Sequence, residues 1–234
     1  PASTPVLVCP ASEQNAPAHE SLIDFARRGG TLIAFLPTGT LAEAAGLNPK
    51  GPKPAPLRLR ISEYPAAGLS GEDLPVVGEV WDCEVQTGAG LNLAYLYHPD
   101  KFEGETVGAI ETPLEKGRIV AFAFDLPRCV LTLRQGDPGQ IEQVVGGCVR
   151  ASTIGVDLGP ADGGLVPFAD LLARWLVDLA RRYVPAPLPI LWHLPGDAPA
   201  IVLYSGDEDG AEISWVEEEF REVTAAGGRM NLYI

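Results

Sequence analysis

The chain has 234 residues, of which 46% are apolar, 21% charged and 7% aromatic, proportions that fit one or two globular domains and exclude disorder over the whole length. Lys and Arg number 17 against 31 Asp and Glu, a formal charge of -14. That balance provides no basic stripe to release phosphate counterions, so nucleic acid and anionic membrane surfaces are excluded as expected partners.

No apolar run is long enough for a membrane-spanning helix, and Pro1-Ala2-Ser3-Thr4-Pro5 has neither a basic leader nor an initiating Met. The expectation is a soluble chain without a signal segment in it, lacking its natural N-terminus, with its compartment undetermined. Cys9, Cys83, Cys129 and Cys148 are far apart with no CxxC, which reads as buried free thiols rather than a disulfide framework or a zinc knuckle.

Val6 to Val8 reads as a short buried strand. A helix follows from Pro17, capped by Asn15 or Ala16, with Leu22, Ile23, Phe25 and Ala26 on its apolar face, Arg27 and Arg28 near its end and Gly29 as its stop. Thr31 to Leu36 is a fully apolar run that predicts a strand covered on both faces, and strand, helix and strand together predict a parallel βαβ unit. From Pro37 to Pro75 the chain is rich in Gly and Pro, and only Leu57 to Ile61 alternates as a half-exposed strand does. Val76 to Val85, Leu91 to Tyr97, Val107 to Glu111 and Ile119 to Phe124 are further strand candidates. Phe168, Leu171, Leu172, Trp175, Leu176, Leu179 and Tyr183 keep helical spacing and predict a helix that seals one face of the sheet.

Pro185-Ala186-Pro187-Leu188-Pro189 must run extended and predicts a domain boundary. After it, Ile201 to Ser205 reads as a strand, Ser214-Trp215-Val216-Glu217 as a capping box, Val216, Phe220 and Val223 as a helix face, and Asn231 to Ile234 as another strand. Trp192 and Trp215 are expected to pack. The expected organisation is an α/β domain over 1-184, a Pro-rich linker over 185-198 and an incomplete βαβ over 199-234, the opening of a domain whose remainder is absent.

The helix and strand Glu20 to Leu36, with Arg28-Gly29-Gly30-Thr31-Leu32-Ile33-Ala34 at their junction, and the run Glu115 to Leu126 resemble class I glutamine amidotransferase-like, flavodoxin-like domains attached to carbohydrate-active proteins. The resemblance implies a Rossmann-like, mostly parallel sheet with helices on both faces. Catalytic members of that family carry a Cys at the elbow after the second of these strands, where this chain reads Phe35-Leu36-Pro37. His98-Pro99-Asp100 mimics the family's His-Pro-Glu corner, but Cys148 is not framed as an elbow thiol. The expectation is a non-catalytic domain.

Two polar segments stand beside predicted strand ends: Asp125-Leu126-Pro127-Arg128, and the compact loop Arg134-Gln135-Gly136-Asp137-Pro138. Ligands of open α/β sheets bind outside the carboxyl ends of strands, so Asp125, Arg128, Arg134 and Asp137 are candidates for holding a carbohydrate. The alternative is a salt-bridged turn.

Ala200 to Gly210, with Asp207-Glu208-Asp209, resembles the first motif of NodB-type polysaccharide deacetylases, in which a strand of a distorted (β/α) barrel delivers paired carboxylates. The resemblance implies Asp207 as general base and Asp209 or Glu208 as ligand to zinc or another divalent metal, with two His from elsewhere in the parent. No His follows His193, so the site is incomplete here, no cofactor is expected on this chain, and the rest of the barrel is the expected partner. Neither register of an EF-hand fits. The functional expectation is a binding or scaffolding domain of a carbohydrate-related protein. The alternatives are a hydrolase with an unrecognised active site in the α/β domain and a purely structural interaction module.

Overall fold

The computed structural model describes residues 5–10, 16–54, 57–62, 73–99, 105–140, 147, 155–156, 166–185, 196, 205–207, 210 and 212–233. The chain divides into two compact units, Pro1–Leu188 and Pro189–Ile234.

The first unit opens with β1 (Val6–Cys9), α1 (Ala16–Arg27) and β2 (Thr31–Phe35). β1 and β2 are parallel, with Val6 opposite Thr31 and Cys9 opposite Ala34. α1 stops where Gly29 takes φ 109°, a backbone state that a side chain would disfavour. Next come α2 (Gly39–Ala44), β3 (Leu47–Pro52), β4 (Leu57–Ile61), β5 (Asp73–Val76) and β6 (Trp81–Val85). The unit continues with β7 (Leu91–Tyr97), β8 (Thr106–Leu114), β9 (Gly117–Phe122), α3 (Leu126–Gln135) and α4 (Phe168–Arg182).

Seven strands form one sheet in the order β1-β2-β9-β8-β7-β4-β5, and β3 pairs with β6 apart from it. Only the β1–β2 and β2–β9 pairings are parallel; β9–β8, β8–β7, β7–β4 and β4–β5 are antiparallel. The sheet is therefore mixed, and the mostly parallel Rossmann-like arrangement expected from the sequence is corrected. Burial explains the misreading: β8 is buried along most of its length although both of its neighbours run against it, because α4 packs on one face and β6 of the β3–β6 ribbon on the other, where the Thr106 hydroxyl donates to Cys83 O at 2.9 Å.

Those faces can be assigned from side-chain contacts. Glu111, Val120 and Phe122 share one face, since residues directly opposite in an antiparallel pair point the same way. On it the Trp175 ring of α4 meets Phe122 edge-on at 5.2 Å, and the Tyr183 hydroxyl donates to Glu111 Oε2 at 2.7 Å. Arg118 reaches Glu111 Oε1 at 2.5 Å and lies over the Tyr183 ring at 5.0 Å. Thr112, on the other face, donates to the Ala45 carbonyl just beyond α2 at 2.7 Å, and α2 packs against α1.

The span Val76 to Val85, expected as one strand, is divided. Gly78 takes φ 95°, and the chain leaves the main sheet at β5 to enter the β3–β6 ribbon. α2 and β3 lie in the Gly- and Pro-rich segment, where no helix or strand was expected before Leu57, and the last turn of α3 lies in the expected loop Arg134 to Pro138.

In the second unit β10 (Ser205–Asp207) and β11 (Asn231–Tyr233) are parallel neighbours, with α5 (Ile213–Ala225) between them in the chain. α5 starts before the expected capping box: Glu212 occupies the N-cap without a side-chain cap bond, and Ser214 lies inside the helix. Trp215, expected to pack, is 60% exposed. Among the described residues no helix is long and apolar enough to cross a membrane.

The seam between β2 and β9 joins the parallel strands to the antiparallel ones, and its close approach depends on glycine. A Cβ on Gly117 would lie 2.2 Å from the carbonyl oxygens of Ala26 and Gly30, whereas one on Gly30 would strike the tip of the Phe25 ring. Backbone cannot give way as a ring can. Gly117→Ala should lower unfolding free energy by about 3 kcal/mol or more, measured by urea titration. Gly30→Ala should cost less and should be partly rescued by Phe25→Leu.

Candidate functional site

Following β9, the chain passes through Ala123 and Phe124 and enters α3 at Asp125. The Asp125 carboxylate accepts the Arg128 backbone N–H at 3.0 Å, and Pro127 stands in the first turn, where its missing N–H leaves no bond unmade. Leu126 and Cys129 are buried. The Cys129 sulfur accepts the Val77 N–H at 3.4 Å, and its thiol points to the Pro75 carbonyl at 4.0 Å, so the thiol seats α3 on the end of β5. Burial pushes the Cys129 thiol up to about 11, with the Asp125 charge adding to the shift and the Val77 N–H opposing it.

Gly136 ends α3 with φ 85°, and its N–H donates to Thr132 O at 2.8 Å. Beyond it Asp137 folds the chain back on itself. Its Oδ1 accepts the Gly139 N–H at 2.9 Å and its carbonyl accepts the Gln140 N–H at 3.0 Å, an Asx-type turn.

Between this turn, the exposed side of α3 and the Val77-Gly78 bend lies a groove of about 450 Å³, lined by Arg128, Thr132, Asp137 and Gln140 among others. A second hollow of about 320 Å³ adjoins it along Leu131 and Gln135 and shares Arg128, Thr132, Asp137 and Pro138. The shared residues form the rim between the two.

Two of the four ligand candidates, Arg128 and Asp137, are thus brought together, and the other two are not. Asp125 and Arg134 sit at opposite ends of α3, roughly 14 Å apart along its axis at the usual rise per residue. Asp125 is the helix cap, and Arg134 is held by Asp170 of α4, both side chains exposed. Neither lines either hollow. Arg134 and Gln135, expected in a loop, form the last turn of α3. Thr132 was missed for the same reason, and Gln140 lies beyond α3 in the short turn Pro138–Gln140. The signal was present in Asp125, Pro127 and the spacing of Leu126, Cys129, Val130 and Leu133, which is a capped amphipathic helix ending at Gly136.

The elbow after β2 also has a definite geometry. Leu36 takes φ 46°, unusual for a bulky residue, and its N–H donates to Phe122 O at 2.8 Å. Nearby His19 is 3% exposed. Its Nδ1 is 3.3 Å from the exposed Thr40 hydroxyl, and its Nε2 has no hydrogen-bond partner among the described residues. His98 follows β7 on the same edge of the sheet but three strands from β2, about 14 Å at ordinary strand spacing. That separation keeps it from serving a group at the elbow directly.

Cys9, Cys83 and Cys129 are buried thiols. Burial first, then the Asp82 charge, raises Cys83 to about 12. Neither Cys83 nor Cys129 resembles a reactive thiolate, which needs a lowered pKa and access. Cys148 lies outside the described residues. So do Glu208 and Asp209, while Asp207 ends β10.

No family model and no curated protein matches the chain. Among solved structures, the α-L-fucosidase isoenzyme 2 from Paenibacillus thiaminolyticus is 15% identical over 76% of this chain and 26% of that one, with a TM-score of 0.48. The β-galactosidase from Rahnella sp. R3 is 15% identical over 52% of this chain and 19% of that one, TM-score 0.39. The carbohydrate deacetylase Agd3 is 13% identical over 48% of this chain and 19% of that one, TM-score 0.40. This chain thus spans about a fifth to a quarter of the length of these structures.

Two stability measurements check the local arrangement. Asp125→Ala should cost about 1 kcal/mol in urea unfolding through loss of the cap, whereas Arg134→Ala, which removes an exposed ion pair, should cost less. The Cys129 thiol predicts a pH effect of definite sign. Its folded value lies above the ordinary 9.0, so the unfolded chain loses this proton first. Stability should be level below about pH 9 and decline from there toward about 11, and Cys129→Ala should make that decline shallower.

Proposed function

We propose that the Pro1–Leu188 unit is a non-catalytic, amidotransferase-like binding or scaffolding domain of a carbohydrate-related protein, with a carbohydrate as ligand in the groove beside α3. The observation that carries this reading is the convergence of Arg128, Thr132 and Asp137 on the rim shared by two adjoining hollows. A planar cation, a hydroxyl and a carboxylate beside the exposed apolar Leu131 suit a ligand with hydroxyls on its edge and C–H groups on its face. The lack of a thiol in Phe35-Leu36-Pro37 supports a binding role rather than glutamine hydrolysis. In the same reading, the 199-234 segment begins a polysaccharide deacetylase-like domain, with Asp207 as base and Glu208 or Asp209 as metal ligand once the parent supplies the His residues.

A second reading, a hydrolase with an unrecognised site, draws on the elbow. Leu36 at positive φ, the exposed Thr40 hydroxyl and the buried His19 behind it place a hydroxyl and an imidazole within hydrogen-bond reach.

Titration of the purified chain with a panel of neutral and acidic oligosaccharides separates the two. Binding should be detected calorimetrically for at least one series and should weaken about tenfold in Arg128→Ala, with Asp125→Asn and Arg134→Ala changing affinity little. No ammonia should be released from glutamine. Labelling of Thr40 by a fluorophosphonate, lost in His19→Ala, would favour the hydrolase instead.

A further inference from the structure

Arg128 is in an unusual position for a cation in this protein. It lies in the first turn of α3, where the helix dipole disfavours positive charge. Its backbone N–H is bound by Asp125, but its guanidinium has no hydrogen bond or ion pair among the described residues. In a chain of formal charge -14, Arg27, Arg60, Arg118 and Arg134 each reach a carboxylate, whereas Arg28, also without an ion pair among the described residues, stands just past the C-terminal end of α1, where the helix dipole favours a cation. Asp137 lines the same rim as Arg128, but it does not approach that guanidinium within ion-pair distance, and its Oδ1 is already used by Gly139 N–H. Arg128 is exposed and lines both hollows, with no carboxylate among the described residues within ion-pair distance of its guanidinium.

We infer that the groove takes a short acidic oligosaccharide, whose uronate carboxylate is held by Arg128 and whose neighbouring units occupy the two adjoining hollows. The inference rests on the carbohydrate-binding reading above and adds the ligand's charge and length. A carboxylate matches the guanidinium in a bidentate pair. The rim position of Arg128 places that pair between two cavities rather than at a closed end, so a unit on each side of the acid is accommodated. Carboxylates more than about 8 Å from the groove are screened at physiological ionic strength, and the one on the rim itself, Asp137, has its Oδ1 engaged by the Gly139 N–H.

The test is calorimetric titration of the intact chain with galacturonic acid, tri-galacturonate and the methyl ester of tri-galacturonate, alongside a panel of neutral trisaccharides. The free acid trimer should bind at least about tenfold tighter than its ester and tighter than the monomer. Arg128→Gln should abolish the preference for the acid, and Arg128→Lys should retain part of it. The melting temperature of Arg128→Gln should equal or slightly exceed that of the parent chain, since a cation leaves the helix start. Equal binding of acid and ester, an acid preference that survives Arg128→Gln, or a monomer that binds as tightly as the trimer would overturn this inference while leaving carbohydrate binding in place. Failure of every sugar, acidic and neutral, to bind would overturn the carbohydrate-binding reading itself.

Discussion

The β2–β9 seam is the constraint on which the first unit depends. Two strands close together in space but more than eighty positions apart in sequence must pair in parallel, Thr31 with Arg118 and Phe35 with Phe122. The approach works because Gly29, Gly30 and Gly117 leave no side chains where the end of α1 crosses the β8–β9 turn. Once the strands are joined, the pairing continues past β2, through Leu36 N–H to Phe122 O. It also sets the direction in which the chain leaves β9, and so where α3 begins.

The position of α3 then determines which polar groups meet. Its buried face is small, Leu126 and Cys129, and the Cys129 sulfur links it to β5 through Val77. The helix accordingly presents Arg128, Leu131, Thr132 and Gln135 outward on consecutive turns, and the Asp137 turn closes the groove below them. Polar residues that look alike in composition acquire different tasks here: Asp125 caps, Arg134 ties α3 to α4, and Arg128 remains unpaired among the described residues. Near the start of β9, the buried Glu111 is compensated by both Arg118 and Tyr183. This is the condition under which a carboxylate can be buried without a large cost.

Chemistry that requires a nucleophile finds little support among the described thiols, whose buried surroundings favour the protonated form. The strained Leu36 elbow and the His19–Thr40 contact lie at the carboxyl edge of the sheet, where function concentrates in α/β folds. A buried imidazole nitrogen without a partner is a rare feature in a folded protein. It marks the elbow as the place where a catalytic alternative would have to be sought.

What the sequence determined by itself was the local structure that a short window can encode. The β1-α1-β2 unit follows from a buried run, an amphipathic helix and a Gly stop, and α4 follows from apolar residues repeating over four turns, since each signal is complete within its own segment. Strand direction was not legible. A continuous apolar run records that both faces are covered, and β2 and β8 are covered alike although one is parallel to its neighbours and the other antiparallel. Nor could the sequence separate Arg128 from Arg134, or Asp137 from Asp125. The four stand in two short polar segments at either end of α3, and their roles depend on the rotation of α3 about its axis, on Asp170 approaching from α4, and on the turn at Gly136. Those are long-range contacts, and only the tertiary structure decided them.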